Sequence, residues 1–217
     1  MHPEFLATGL CWTVTYLLII RRGFADRTYG MPIVALCANL SWEFIFSVVR
    51  PHAGVQRIGD ILWLTLDVVI AYTALRYGPR EFRYLPRPVF YAGFAGTLVL
   101  AYLGVDAVCR EFDNGNGIYA GFADNLMMSG LFLAMLASRG GLRGQSVSIA
   151  ALKCVGTIFA SIGFWRYGGH PNSAVLTYMY VANAVVDIAY LVAVAIVRAR
   201  AGAVLAQERP EAVTARG

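Results

Sequence analysis

Apolar residues run along this chain in seven long stretches, parted by short polar interruptions rich in Arg, Gly and Pro. The stretches cover Glu4 to Ile20, Met31 to Val49, Ile58 to Leu75, Pro88 to Val108, Ile118 to Ser138, Ser146 to Trp165 and Ser173 to Val197. A helix needs about 20 mostly apolar residues to cross a hydrocarbon core of about 30 Å, so each stretch predicts a membrane-spanning helix. The breaks are Arg21-Arg22, Arg50-Pro51, Gly78-Pro79, the Asn114-Gly115-Asn116-Gly117 turn, Arg139-Gly140-Gly141 and Gly168-Gly169-His170-Pro171. The first stretch reads as a retained helix and not a signal peptide. Met1-His2-Pro3-Glu4 lacks a basic n-region, and no small-residue cleavage site follows before Arg21. The predicted fold class is all-α, a polytopic bundle of seven transmembrane helices.

Composition narrows the class further. Of the 217 residues, 58% are apolar and only 14% charged, whereas a soluble domain carries about 25% charged residues. Such a chain is neither disordered nor a disulfide-stapled secreted domain, since four cysteines are sparse and read as small buried apolar residues. The net charge of +5 reports orientation and not nucleic-acid binding. Thirteen Arg fall in the first, third and fifth connections and the tail, against four in the other connections. The positive-inside rule then places the N-terminus outside and the C-terminus in the cytoplasm, in a multi-pass protein of the cell membrane. Residues 1–198 form the bundle, and 199–217, rich in Arg, Ala, Glu and Pro, form a polar, disordered tail.

Ionisable residues inside the spans are functional candidates, because lipid makes a buried charge cost about 2.5–3.5 kcal/mol. They are Glu43, Asp67, Asp106, Asp124, Lys153 and Asp187. At a rise of about 1.5 Å per residue, Glu43 and Asp124 lie about two turns below the outer face, Asp67 somewhat deeper, and Lys153 and Asp187 in the cytoplasmic half. Helical spacing predicts three polar stripes: Asn39, Glu43, Phe46 and Arg50 with Trp42 at the shoulder; Asp60, Trp63 and Asp67; and Tyr180, Asn183, Asp187 and Tyr190. All three are expected to face one elongated cavity. Asn39, Asn125 and Asn183 also suit helix-to-helix hydrogen bonds, and Lys153 with Asp187 suits an ion pair. Asp60 and Asp106, near the outer surface, read as solvated.

Several chemistries lack their residues. There is no D-D-x-x-D to hold Mg²⁺ on a diphosphate, and Leu191 stands where a prenyltransferase-like Asn183-x-x-x-Asp187 would need its second acid. His2, His52 and His170 lie outside the spans and form no H-E-x-x-H motif, and the last span has no Lys for a retinal Schiff base. Neither a metal nor a cofactor is predicted. Acid chemistry on a lipophilic substrate remains. A carboxyl desolvated in an apolar cavity keeps its proton at neutral pH and can deliver it to an alkene or epoxide. The resulting carbocation needs π faces and no water, which Trp42, Trp63, Phe46, Tyr180 and Phe164 can supply.

The Trp42-Glu43 pair in the second span and Asp187, within Asn183-Ala184-Val185-Val186-Asp187 of the last, resemble the small integral-membrane terpene cyclases of fungal meroterpenoid and indole-diterpene pathways. Bacterial relatives of that family cyclise farnesylated indole-containing cyclic dipeptides, as in drimentine-type biosynthesis. The resemblance implies Glu43 and Asp187 as the catalytic pair, one of them the proton donor. The polar and aromatic residues around them, Trp42, Asn39, Phe46, Trp63, Asp67, Asp124, Tyr180 and Asn183, are the candidate substrate contacts. The implied reaction is metal-independent, proton-initiated cyclisation of a farnesyl or other prenyl chain on a prenylated indole or cyclic dipeptide. Its implied partners are that lipophilic small molecule and membrane lipids, with neither nucleic acid nor an obligatory protein. Two other classes compete: a small seven-helix transporter or channel with carboxylates in its pathway, and a receptor or assembly factor without chemistry. The first predicts related halves, and no internal repeat is present.

Overall fold

The computed structural model describes the backbone of residues 2–170 and 172–214, with side chains as far as Ala203. Among those residues every regular element is a helix: α1 (Pro3–Ala25), α2 (Ile33–Phe44), α3 (Gly54–Tyr77), α4 (Arg87–Asp113), α5 (Ile118–Arg139), α6 (Val147–Tyr167) and α7 (Ala174–Thr214). A π turn, Ile45–Val49, continues α2, and a 3₁₀ turn, Gly78–Arg80, follows α3. The expected tail over 199–217 falls largely where side chains are not described, and 215–217 lie outside the described residues.

Local chemistry sets the helix ends. Pro3 opens α1, where its missing N–H costs no intrahelical bond. Ser146 caps α6 by accepting from Ile149 N at 3.2 Å. Asn114 (φ 52°) ends α4, Gly117 (φ 83°) precedes α5 and Gly140 (φ 61°) closes it, all left-handed positions that Gly and Asn tolerate best.

Six of the seven helices are long and apolar enough to cross a membrane. The exception is the second: the stretch expected from Met31 begins only after Pro32 and has 12 α-helical residues before its five-residue π turn. This shorter helix is the inner one. It packs against α3, α4 and α5, and buries Ala35, Leu36, Cys37, Ala38, Leu40, Ser41 and Glu43. It closes a ring of contacts that runs from α1 to α6, α6 to α7, α7 to α5, α5 to α2, α2 to α3 and α3 back to α1. Helix α4 lies outside this ring, against α2 and α5, and is the least buried span. Glycines let α1 approach α6 closely, since a Cβ at Gly156 would come within 3.0 Å of Trp12 and one at Gly163 within 2.9 Å of Phe5.

The first, third and fifth connections meet at one end of the bundle. Arg139 donates to Glu81 Oε2 (2.8 Å), Thr28 Oγ1 (3.0 Å) and the carbonyls of Tyr29 (3.1 Å) and Arg143 (2.9 Å), with its guanidinium 4.3 Å above the Tyr29 ring centroid. Asp26 Oδ2 accepts from Gly144 N at 2.8 Å. One planar cation thus ties three loops together. R139A is expected to lower stability by about 3 kcal/mol, and R139K to recover little of it because an ammonium cannot reproduce the fork. Thermal unfolding of the detergent-solubilised protein measures both.

Candidate active site

Helices α1, α2, α3, α5 and α6 enclose a cavity of about 180 Å³. Its wall is largely aromatic: Phe5, Trp12 and Tyr16 on α1, Trp42 on α2, Trp63 on α3, Phe122 on α5 and Phe164 on α6. Two carboxyls enter this lining. Glu43 on α2 is 3% exposed and Asp124 on α5 is 6% exposed, and Glu43 Oε2 and Asp124 Oδ1 are buried without a hydrogen-bond partner among the described residues.

The tryptophans are held by their N–H groups. Trp42 Nε1 donates to the Gly117 carbonyl at 2.9 Å, and Trp63 Nε1 to Thr13 Oγ1 at 3.1 Å. Gly117 is required there, because a Cβ at its positive φ would collide with the Phe46 ring. On the inner side, Asn39 Nδ2 donates to Tyr16 Oη and, at 2.6 Å, to Asp67 Oδ2.

Near the loop after the π turn, Asp60 is fully buried and accepts from Gln56 Nε2 and bonds His52 Nδ1, both at 2.8 Å. The His52 ring stacks on Phe46 with centroids 4.4 Å apart and planes within 3°. Partial burial pulls the imidazole down from its ordinary range, but the hydrogen bond and charge of Asp60, with the Asn116 carbonyl, outweigh it and hold the group above that range.

A second polar cluster lies behind the wall. Lys153 Nζ, fully buried, donates to Asp187 Oδ1 (2.6 Å), Ser129 Oγ (2.5 Å) and Asn125 Oδ1 (2.9 Å). Asn125 Nδ2 donates to Thr157 Oγ1 (3.1 Å) and Asn183 Oδ1 (2.7 Å), and Asn183 donates to the Phe122 carbonyl at 3.0 Å. Asn125 and Thr157 reach the cavity surface, whereas Lys153, Asn183 and Asp187 do not line it.

The three predicted stripes therefore do not all face one space. Glu43, Asn39, Trp42, Trp63 and Asp124 line the cavity. Asp67 stands behind Asn39, and Phe46 stands behind Trp42 (centroids 4.6 Å apart), its neighbour four residues back on the helix, and stacks on His52. Tyr180 packs on Phe122 at 4.7 Å, and Asn183 and Asp187 are taken up in bonds to α5 and α6, since α7 packs against those two helices and outside the cavity. Asp60 is buried, not solvated, because the loop folds His52 over it. Asp106 pairs with Arg50 at 2.7 Å and Arg110 at 2.8 Å. Thr8, Trp12 and Tyr16, whose spacing of four puts them on one face of α1, line the cavity without any charge or motif to mark them along the chain, as do Gln56 and Thr157. Among the described residues, no three His, Cys, Asp or Glu side chains gather as metal ligands would.

A family model, Pyr4-like transmembrane terpene cyclases, matches residues 4–200. The chain is 32% identical over 200 residues to the Pyr4-family terpene cyclase mfmH of Annulohypoxylon moriforme, covering 85% of this chain and 81% of that protein. It is 36% identical over 169 residues to the terpene cyclase pyr4 of Aspergillus fumigatus, covering 72% and 67%, and 29% identical over 177 residues to the terpene cyclase atmB of Aspergillus flavus, covering 77% and 71%. No solved structure matches significantly.

Two outcomes follow from the site's electrostatics. D187L strands the Lys153 ammonium and should cost about 3–5 kcal/mol in thermal or denaturant unfolding, most of which K153M in the same chain restores. A group whose folded value is raised gives stability that is complete below its unfolded value, near 6.5 for His52, and lost as pH rises through the folded value. The Tm should therefore fall as pH rises above about 6.5, and the H52A variant should lack that fall.

Proposed function

The chain belongs to the Pyr4-like transmembrane terpene cyclases and is a membrane-bound terpene cyclase, and from that premise we propose that it cyclises the farnesyl or other prenyl chain of a prenylated indole, cyclic dipeptide or related meroterpenoid precursor. On this reading a proton starts the reaction and no metal takes part. The single observation that carries it is the Glu43 carboxyl, buried without a hydrogen-bond or ionic partner among the described residues in a cavity walled by aromatic rings.

Buried polar groups are almost always paired, so an unpaired one calls for an explanation. A lone carboxylate in low dielectric costs several kcal/mol, which favours the neutral acid at Glu43. That acid then holds a proton with no stronger acceptor beside it until an alkene or epoxide is placed against it. Protonation leaves a carbocation on the substrate, and the faces of Trp42, Trp63, Trp12 and Phe122 stabilise the charge as it moves along the chain. The same rings keep water from capturing the cation, so that it closes rings instead.

Asp187 has the opposite surroundings: 1% exposed, it is neutralised by Lys153 at 2.6 Å. We assign it a positioning role through Lys153 and Asn125, and Glu43 the proton transfer itself. Asn39, Trp42, Trp63 and Asp124 touch the substrate, with Asp67, Phe46, Tyr180 and Asn183 supporting them from behind. The remaining assignments belong to the same proposal: all seven helices span the cell membrane, the N-terminus is outside, and the Arg139 end faces the cytoplasm.

Membranes containing the protein should convert a farnesylated indole into a product of unchanged mass and shifted retention, and in D₂O that product should gain one deuterium. E43Q should lower turnover at least about 100-fold while leaving Tm nearly unchanged, because no partner of Glu43 is lost. Turnover by E43Q at the wild-type rate would remove Glu43 from the reaction.

A further inference from the structure

A cyclisation begun by a proton ends when a proton leaves the last cation, and that step needs a base within reach of the same substrate. We infer that Asp124 is this base, an inference that rests on the cyclisation reading above. Asp124 faces the cavity from α5, and Glu43 faces it from α2. Asp124 is 6% exposed, its Oδ1 is buried without a partner, and it makes no hydrogen bond among the described residues. A carboxyl with that environment is not helix-to-helix glue.

The neighbours of the two carboxyls separate their roles. On the Glu43 side, Asn39, one turn earlier on α2, holds the Asp67 carboxyl at 2.6 Å, so the neighbouring ionisable group there is a second acid. Asp124 instead is next in sequence to Asn125, whose Oδ1 accepts from the Lys153 ammonium at 2.9 Å. Two carboxyls in one apolar cavity do not both ionise readily, and the ion is favoured where a cation lies nearby. Asp124 is that position, which leaves the proton on Glu43. Asp187, the other acid on this side, already has both its charge and its Oδ1 committed to Lys153. Tyr16 also lines the cavity, but its hydroxyl is engaged by Asn39.

The steps balance. The O–H bond of Glu43 breaks as a C–H bond forms at the terminal alkene, or an O–H bond at an epoxide, leaving Glu43 as carboxylate. Each ring closure then converts a π bond into a C–C bond and moves the cation along the chain. Finally a C–H bond next to the last cation breaks, its electron pair becomes the product alkene, and the proton passes to Asp124. The total charge of the pair is the same before and after. The proton returns from Asp124 to Glu43 through water that refills their common cavity once product leaves, which resets the enzyme without any co-reactant.

The test compares wild type, E43Q, D124N and D124E in membranes given the farnesylated indole. E43Q should leave substrate unconsumed. D124N should still consume it, at least tenfold more slowly, and should divert the last cation to other alkene isomers or to a water-captured alcohol 18 mass units heavier, while D124E restores the wild-type alkene as the main product. An unchanged product ratio in D124N, whatever its rate, overturns the proposal, since a packing role would slow the reaction without redirecting its last step. If D124N does not accumulate as folded protein, D124S carries the same test: it too lacks the base and should divert the last cation, and a wild-type product ratio in it overturns the assignment. Wild-type protein that leaves the substrate intact would sink the cyclisation reading and this proposal with it. Active wild type with an indifferent Asp124 sinks this proposal alone.

Discussion

Lys153 and Asp187 meet at 2.6 Å in the buried region between α6 and α7, with Ser129 and Asn125 of α5 completing the shell around the ammonium. Within a bilayer neither charge would be tolerable alone, so each requires the other and both require the three helices to stand at one register. The inner wall of the cavity inherits that register. Asn125 and Thr157 show their edges to the cavity because the ion pair behind them holds their other hydrogen bonds in place. A site on the α5–α6 wall thus depends on a contact that it never touches.

Pairing the one buried ammonium described with Asp187 leaves Glu43 and Asp124 without a cation at bonding distance. Buried carboxyls of two kinds result, and the difference is electrostatic, not one of depth or residue type. Asp187 is a neutralised structural charge, whereas Glu43 and Asp124 are held in an apolar space where ionising both is costly. Proton chemistry suits such a pair, because the stored proton has a place to go only when substrate is present. The surrounding rings are themselves constrained: Trp42 and Trp63 are anchored through their N–H groups, so their faces stay turned to the cavity. The π turn after Glu43 adds a local departure from α geometry, of a kind that often accompanies functional sites.

The two ends of the bundle are built differently. At one end Arg139 draws three loops into a charged lock with several hydrogen bonds to backbone carbonyls. At the other, the loop after the π turn is held by fewer and softer contacts, His52 on Asp60 and the stack on Phe46, and Gln56 and Gly117 beside it reach the cavity. The outermost helix, α4, contributes no cavity residue and serves to cover α2 and α5.

Much of this was legible along the chain because lipid imposes a coarse rule. Apolar length marks a span and a charge inside it marks an exception, so the helices, their breaks, and Glu43, Asp124, Lys153 and Asp187 as exceptional residues stood out without any contact being known. Spacing of four also put Asn39 and Glu43 on one face, where they are found. What spacing could not convey is which neighbour a face meets. Asp187 and Asn183 form as regular a stripe as Asn39 and Glu43, yet α7 lays its stripe against α5 and α6, while α2 turns its own toward empty space. Trp12 and Tyr16 went unmarked because aromatic residues in a span look the same whether they face lipid or a cavity. Burial and pairing are properties of several helices at once, and so the sequence by itself determined the helices and the acids, while only the tertiary packing decided which acid is neutralised and which remain without a partner.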